Sequence, residues 1–327
     1  MSFTIEEAVQ VLSQKFLLQK GVVGVSHGSK ELIIYVESEE AARKIPRTLM
    51  GFPTKTIVSG KFRVLSLPEA KAGRTIAGTL VNRALRLRPI PGGVSSGSLK
   101  VGAGTNAGRV IDKTTGLKML LSCYHVFSGD VGDPIIQPGK LDGGRYPDDV
   151  IGYIERFIEI KPPPETNIID ACIARPVSQD LVSDEVLDIG IVNGIEEAKV
   201  GMKVKKSGRS CGLMEATIID TNATIKVDGY GFGEAIFEDQ IITSFFALPG
   251  DSGSIVVSAD TNAAVGMIFA GSEVLSCINK ITNIVQLLNI DIPKSAAPPT
   301  LPPTAAAYVL MPLFTGFLLL LGAKTQT

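Results

Sequence analysis

Two periodicities divide the chain. Near the N-terminus, Ala8, Val11, Leu12 and Phe16 recur at helical spacing, which predicts an amphipathic helix. Thr4 followed by Glu7 is a capping-box pattern at its start, and Gly21 marks its end. Residues 22–25 and 32–36 are apolar runs around Ser26-His27-Gly28-Ser29, predicting a hairpin with His27 exposed in its turn. Ser38, followed by Glu39 and Glu40, predicts a short second helix that Ile45-Pro46 ends. Residues 56–58 and 62–65 predict returning strands. Residues 1–68 read as a small α+β accessory domain.

Residues 69–100 are rich in Gly, Pro, Ser and Arg. They read as a linker and an entry to the next domain, with Arg74, Arg83, Arg86 and Arg88 expected in solvent. From 101 to 294 the pattern changes to short apolar runs between Gly, Asp, Asn and Pro turns. Residues 119–123, 168–174, 215–219, 241–246 and 254–257 are examples, and the pattern predicts an all-β barrel or sandwich. Ile281, Ile284, Val285 and Leu288 share one face of a closing helix. Residues 295–304 form a proline-rich, extended spacer. Residues 305–323 are 19 uncharged, mostly apolar positions. As a helix they would span roughly 28 Å, which predicts a transmembrane segment. The alternative is a helix packed on protein. Lys294 and Lys324 flank the run evenly, so charge does not orient it.

Composition adds limits. With 45% hydrophobic and 20% charged residues, the chain can bury a core. A net charge of −1 gives no reason to expect a nucleic-acid partner. Cys123, Cys172, Cys211 and Cys277 contain no Cys-x-x-Cys metal pattern; they are either free thiols or one of three disulfide pairings. No cofactor fingerprint occurs, since the glycines of 102–104 and 229–233 lack phosphate-loop spacing. The N-terminus has no signal-peptide pattern. The expected localisation is therefore a tail anchor with its folded part in the cytoplasm, the alternative being a soluble cytoplasmic protein.

A hydroxyl becomes a nucleophile at neutral pH only with a base, a group that orients the base, and donors for the oxyanion. Leu248-Pro249-Gly250-Asp251-Ser252-Gly253-Ser254 supplies a tight turn carrying a serine. There the N–H groups of Gly250 and Ser252 could form an oxyanion hole. Apolar residues 120–123 lead to His125, one of only two histidines. Asp170 sits in an apolar run, where a carboxylate is costly unless paired. Asp148 and Asp149, in a turn-like stretch, are the rivals.

The motifs Cys-Tyr-His-Val, Ile-Asp-Ala-Cys-Ile-Ala and Gly-Asp-Ser-Gly-Ser, in the order His, Asp, Ser, resemble those of the chymotrypsin-fold, trypsin-like serine peptidases. The resemblance covers roughly residues 95–292. The general look is nearer the prokaryotic, phage and plant narrow-leaf types. It implies a mainly β, double β-barrel peptidase domain over 101–294. It implies His125 as base and then acid, Asp170 as its orienter, and Ser252 as nucleophile in endopeptidase hydrolysis of a polypeptide substrate. It also implies that Phe269, Ala270 and Gly271 offer main-chain groups to an extended peptide, with Phe246 near the pocket floor. No acidic residue stands there, so an apolar or small side chain is the expected preference. The sequence departs from the family in two ways. No Cys follows His125, and no Ile-Val-Gly-Gly precedes the barrel, so Asp251 lacks the new N-terminus that would pair with it. The alternative function is an inactive peptidase-fold module that binds peptides or acts as a scaffold at a membrane. A third is self-processing, such as release of the tail.

Overall fold

The computed structural model describes residues 3–65 and 82–294. The expected spacer at 295–304, the apolar run at 305–323 and Arg74 lie outside the described residues. Among those described, no helix is long and apolar enough to cross a membrane.

Strand pairing closes two rings. In the first, Val94–Ser98 pairs with Gly104–Asn106, and that strand runs on through Ala107 into Gly108–Asp112. Gly108–Asp112 pairs with Lys118–Ser122, which pairs with Cys172–Pro176. Cys172–Pro176 pairs with Val150–Phe157, then come Pro134–Ile136 and Val94–Ser98 again. In the second, Lys203–Gly208, Gly212–Tyr230, Gly233–Ser244, Leu275–Lys280, Ala264–Gly271 and Ile255–Ser258 pair in that cyclic order. Every pairing is antiparallel. Closure removes sheet edges, and apolar side chains fill the interior: Leu120 and Ile154 both lie opposite Ala174 and share its face in the first ring, and Ile241, Val256 and Ile268 form one cluster in the second. The double-barrel expectation therefore holds in detail. Ile281–Leu287 is the expected closing helix, with Ile281 and Ile284 buried.

The N-terminal elements follow the sequence closely. Ile5–Phe16 is helical with the reciprocal Thr4–Glu7 capping box, and Ser38 caps Glu39–Ala42. Val22–His27 pairs antiparallel with Leu32–Val36. His27 departs from expectation. It is the last paired residue of its strand, opposite Leu32, and its Nδ1 lies 3.0 Å from the Gly28 carbonyl oxygen. The turn is thus shorter than the polar run implied. This unit is not separate from the barrel in hydrogen bonding. Gly24 and Val25 pair with Ile225 and Thr224 of the long Gly212–Tyr230 strand. Ser26 and Tyr35 donate to the buried Asp220 carboxylate at 2.9 and 2.6 Å.

The arginines of the expected linker differ from the solvated reading. Arg83 is buried, donates to the Gly93 carbonyl at 2.9 Å and pairs with Asp188. Arg88 donates to the Gln137 carbonyl at 3.0 Å, and only Arg86, paired with Asp149 at 2.9 Å, is well exposed. Local charge could not show this, because Asp188, Gln137 and Asp149 lie far along the chain from the arginines they meet.

Candidate active site

The Lys118–Ser122 strand ends at Cys123, and the turn after it carries His125. Asp170 was expected inside a strand. Instead it stands two residues before Cys172–Pro176, the neighbour of Lys118–Ser122, so the end of that pairing brings acid and imidazole together. The His125 N–H donates to Asp170 Oδ1 at 3.1 Å, and His125 Nδ1 lies 2.5 Å from Oδ2. An ionised carboxylate only accepts, so this contact places the proton on Nδ1 and leaves a lone pair on Nε2. Nε2 is buried and has no hydrogen-bond partner among the described residues. The rival acids go elsewhere: Asp149 accepts from Arg86 and from the Arg145 N–H.

Asp170 is fully buried. Burial alone would raise its carboxyl. The neighbouring His125 ring and the hydrogen bonds donated by His125 and Tyr230 outweigh burial and hold it below the usual carboxylate range. Tyr230 was not found from sequence. It ends the Gly212–Tyr230 strand, and its phenol donates to Asp170 Oδ2 at 2.7 Å. Burial first, and then the Asp170 charge, push that phenol well above its ordinary value, so it stays a donor. Asn279 adds a second clamp, accepting from the Asp170 N–H at 3.0 Å. The only hint was an aromatic within a glycine-rich stretch, whose partner is distant in sequence.

Ser252 lies on the loop between Gly233–Ser244 and Ile255–Ser258 of the second ring. Its carbonyl accepts from the Thr105 N–H of the first ring at 2.8 Å, which ties the loop across the cleft. Gly253 has a φ of +94°, and a Cβ there would lie 2.1 Å from the Thr105 carbonyl oxygen, so only glycine fits. The Ser252 hydroxyl donates to the Phe269 carbonyl at 3.0 Å. No hydrogen bond joins it to His125 among the described residues.

Asp251 also has partners that sequence reasoning missed. Its carboxylate accepts from the N–H groups of Ser210, Leu248 and Cys211 at 2.8, 3.0 and 3.2 Å, and from the Cys211 thiol at 2.7 Å. Lys206 Nζ completes an ion pair with it. Burial would raise this acid too; Lys206 and the donors reverse that and lower it. An internal ammonium thus stands where a processed N-terminus was missing.

All four cysteines are free thiols. Cys123, His125 and Asp170 place ligand atoms within 4.8 Å of one another. The Cys123 thiol donates to the Ile268 carbonyl at 3.2 Å, and burial pushes it well up, so it is a neutral thiol and a poor metal ligand.

Of the expected substrate groups, Phe246 is buried in one apolar cluster with Leu65, Ala247, Val265 and Ile268. The edge of Ala264–Gly271 is already paired. Ala270 faces Val64 and Gly271 faces Arg63 in antiparallel register. The Leu65 N–H reaches the Phe269 carbonyl at 3.2 Å and the Ser252 hydroxyl at 3.1 Å. The Gly250 N–H donates to the Leu65 carbonyl. No hydrogen bond from the Ser252 N–H is found among the described residues.

No family model and no curated protein sequence matches the chain. Among solved structures it is similar to Nocardiopsis protease, with 21% identity over 63% of this chain and 99% of that one and a TM-score of 0.48. It is similar to Thermobifida fusca protease A at 19% identity, with the same coverage and TM-score. Cellulomonas bogoriensis chymotrypsin gives 20% identity, 63% and 99% coverage and a TM-score of 0.47. The fold itself rests on the two closed rings: over residues 94–280 the chain has a mainly β, chymotrypsin-like architecture, and it is structurally similar to chymotrypsin-fold serine proteases.

Proposed function

We propose that this protein is a serine endopeptidase that cuts polypeptides through an acyl-enzyme on Ser252. The observation that carries the reading is the state of His125. Nδ1 is held by a buried, ionised Asp170, while Nε2 is buried and unpaired. An oriented base with a free lone pair is what a serine hydroxyl needs. In this reading the hydroxyl leaves the Phe269 carbonyl to give its proton to Nε2, and attacks the substrate carbonyl. The Gly250 and Ser252 N–H groups meet the oxyanion, and the imidazolium then protonates the leaving amine. Phe269, Ala270 and Gly271 hold the substrate strand by β-augmentation. Phe246 and its apolar neighbours favour an apolar side chain before the cut.

The test is acylation by a fluorophosphonate between pH 6 and 9. Labelling is expected at Ser252, absent in Ser252→Ala, and about 10²–10⁴-fold slower in His125→Ala. A Leu65→Asp variant, which expels Leu65 from its apolar site, should label fastest. If neither wild type nor Leu65→Asp labels, the enzyme reading fails. The second reading, an inactive peptide-binding module, draws on the Ser252 hydroxyl bonding Phe269 and not His125. It requires peptide binding without turnover, unchanged by Ser252→Ala. Membrane attachment through residues 305–323 belongs to the same proposal and fails if carbonate washes the full chain from membranes.

A further inference from the structure

The strand in the cleft is the protein's own. Residues 62–65 enter between two strands of the second ring, parallel to Gly212–Tyr230 and antiparallel to Ala264–Gly271. Three features make this an occupant of the reactive position and not ordinary sheet extension. First, the Leu65 amide bonds the Phe269 carbonyl and the Ser252 hydroxyl itself. Second, the Leu65 carbonyl accepts from the Gly250 N–H, the donor expected to meet an oxyanion. Third, the Leu65 side chain fills the apolar site with Phe246 and Ala247, and its Cδ1 lies 3.2 Å from where a Cβ on Gly271 would be. Upstream anchors fix the register. Phe62 is buried edge-on against Tyr35, and Arg63 points outward with Asp228 3.9 Å away.

We infer that the protein cuts its own chain at the peptide bond after Leu65, with residues 62–65 as the substrate strand. The inference rests on the endopeptidase reading above. Ser252 Oγ bonds the Leu65 carbonyl carbon while its proton goes to His125 Nε2. The C–N bond then breaks and the amine of Ser66 leaves with that proton. Water attacks the Leu65 ester and gives a proton to His125. Ser252 Oγ departs and takes the proton back, leaving a Leu65 carboxylic acid whose own proton passes to the freed Ser66 amine. Nothing is oxidised or reduced, and water is the only co-reactant. This is not the activation in which a new N-terminus pairs with Asp251, because Lys206 already fills that role. Nor does it involve the tail.

The cut need not release the N-terminal piece. Gly24 and Val25 remain paired to the Gly212–Tyr230 strand, and Ser26 and Tyr35 remain bonded to Asp220. The product expected is a nicked, two-piece protein whose cleft stays blocked until that piece detaches.

The experiment is intact-mass measurement of the purified full chain over time, beside Ser252→Ala. Wild type should give two pieces divided between Leu65 and Ser66 that co-elute in size exclusion, at a rate independent of protein concentration. Ser252→Ala should stay whole with the same elution volume. Leu65→Asp should abolish this cut and Leu65→Met should retain it. The conservative variant guards against loss of folding in the first. A wild type that stays whole, a cut at another bond, or a rate that climbs with concentration overturns the inference. Fluorophosphonate labelling of the same samples separates the cases. Labelled but uncut protein leaves the peptidase reading standing, whereas protein neither labelled nor cut loses both.

Discussion

The ammonium of Lys206 lies 2.8 Å from Asp251 Oδ2, and both side chains have no solvent exposure. Asp251 precedes Ser252, so this pair anchors the loop that presents the hydroxyl. Removing one partner of a buried pair strands the other charge, at a cost of about 3–5 kcal/mol. Lys206→Met should lower the urea midpoint accordingly and slow labelling of Ser252. The double variant Lys206→Met, Asp251→Asn should lose less stability than the two single changes combined. Additive losses would show that the two groups do not act as a unit.

Tyr230→Phe removes one hydrogen bond to an ionised acid, worth about 1.5–3 kcal/mol. The Asp170 carboxyl is depressed in the folded protein. Its contribution is therefore present above the unfolded value of about 3.9 and lost as pH falls through the lower folded value. The stability gap between wild type and Tyr230→Phe should be full at pH 7 and shrink on acidification below about pH 4. Urea titrations at both ends measure it, and a gap independent of pH would mean the phenol supports packing alone.

Gly271→Val should narrow the apolar site, since a Cβ there meets Leu65 Cδ1 and the Leu275 carbonyl oxygen, each at 3.2 Å. Measured in the Leu65→Asp background, which opens the site, peptides with Leu before the cut should lose about 10–200-fold in kcat/KM. Peptides with Ala there should lose less. Equal losses would place the leucine-binding site elsewhere.

Gly253→Ala tests the loop itself. The left-handed backbone costs an L-residue about 1–3 kcal/mol, and the contact with the Thr105 carbonyl adds to that. Ser252 labelling should fall while the far-UV circular dichroism of the barrel is kept. Unchanged labelling would show that the loop tolerates a different path.

The thiols give a simple check of packing. Cys123, Cys172 and Cys277 are buried, and the Cys211 thiol, desolvated and bonded to Asp251, is pushed up to about 12. Native protein should react slowly with a disulfide reagent at pH 8, and all four thiols should react on unfolding. Fast native reaction of Cys123, Cys172 or Cys277 would contradict its burial.

What was legible in the sequence was local or ordered. The Thr4–Glu7 cap, the hairpin strands and the chain order of His125, Asp170 and Ser252 needed only short motifs. What escaped was partner choice across long separations. Lys206 reads as one more lysine until its strand pairs with Ile255–Ser258. Residues 62–65 read correctly as a strand, yet nothing local tells that its neighbours are residues 227–228 and 270–271. Arg83 looked like solvent-facing charge because its acceptors, Gly93 and Asp188, are supplied by tertiary folding.

The Gly212–Tyr230 strand is 19 residues long, and its far half outruns the Lys203–Gly208 strand beside it. There its outer side is met by residues 24–25 and then 62–63. A shortened chain beginning beyond residue 65 would bare those amides and carbonyls as an open flank on which a second molecule could add its own strand. Trimming the protein to its barrels should therefore trade a blocked cleft for a tendency to self-associate.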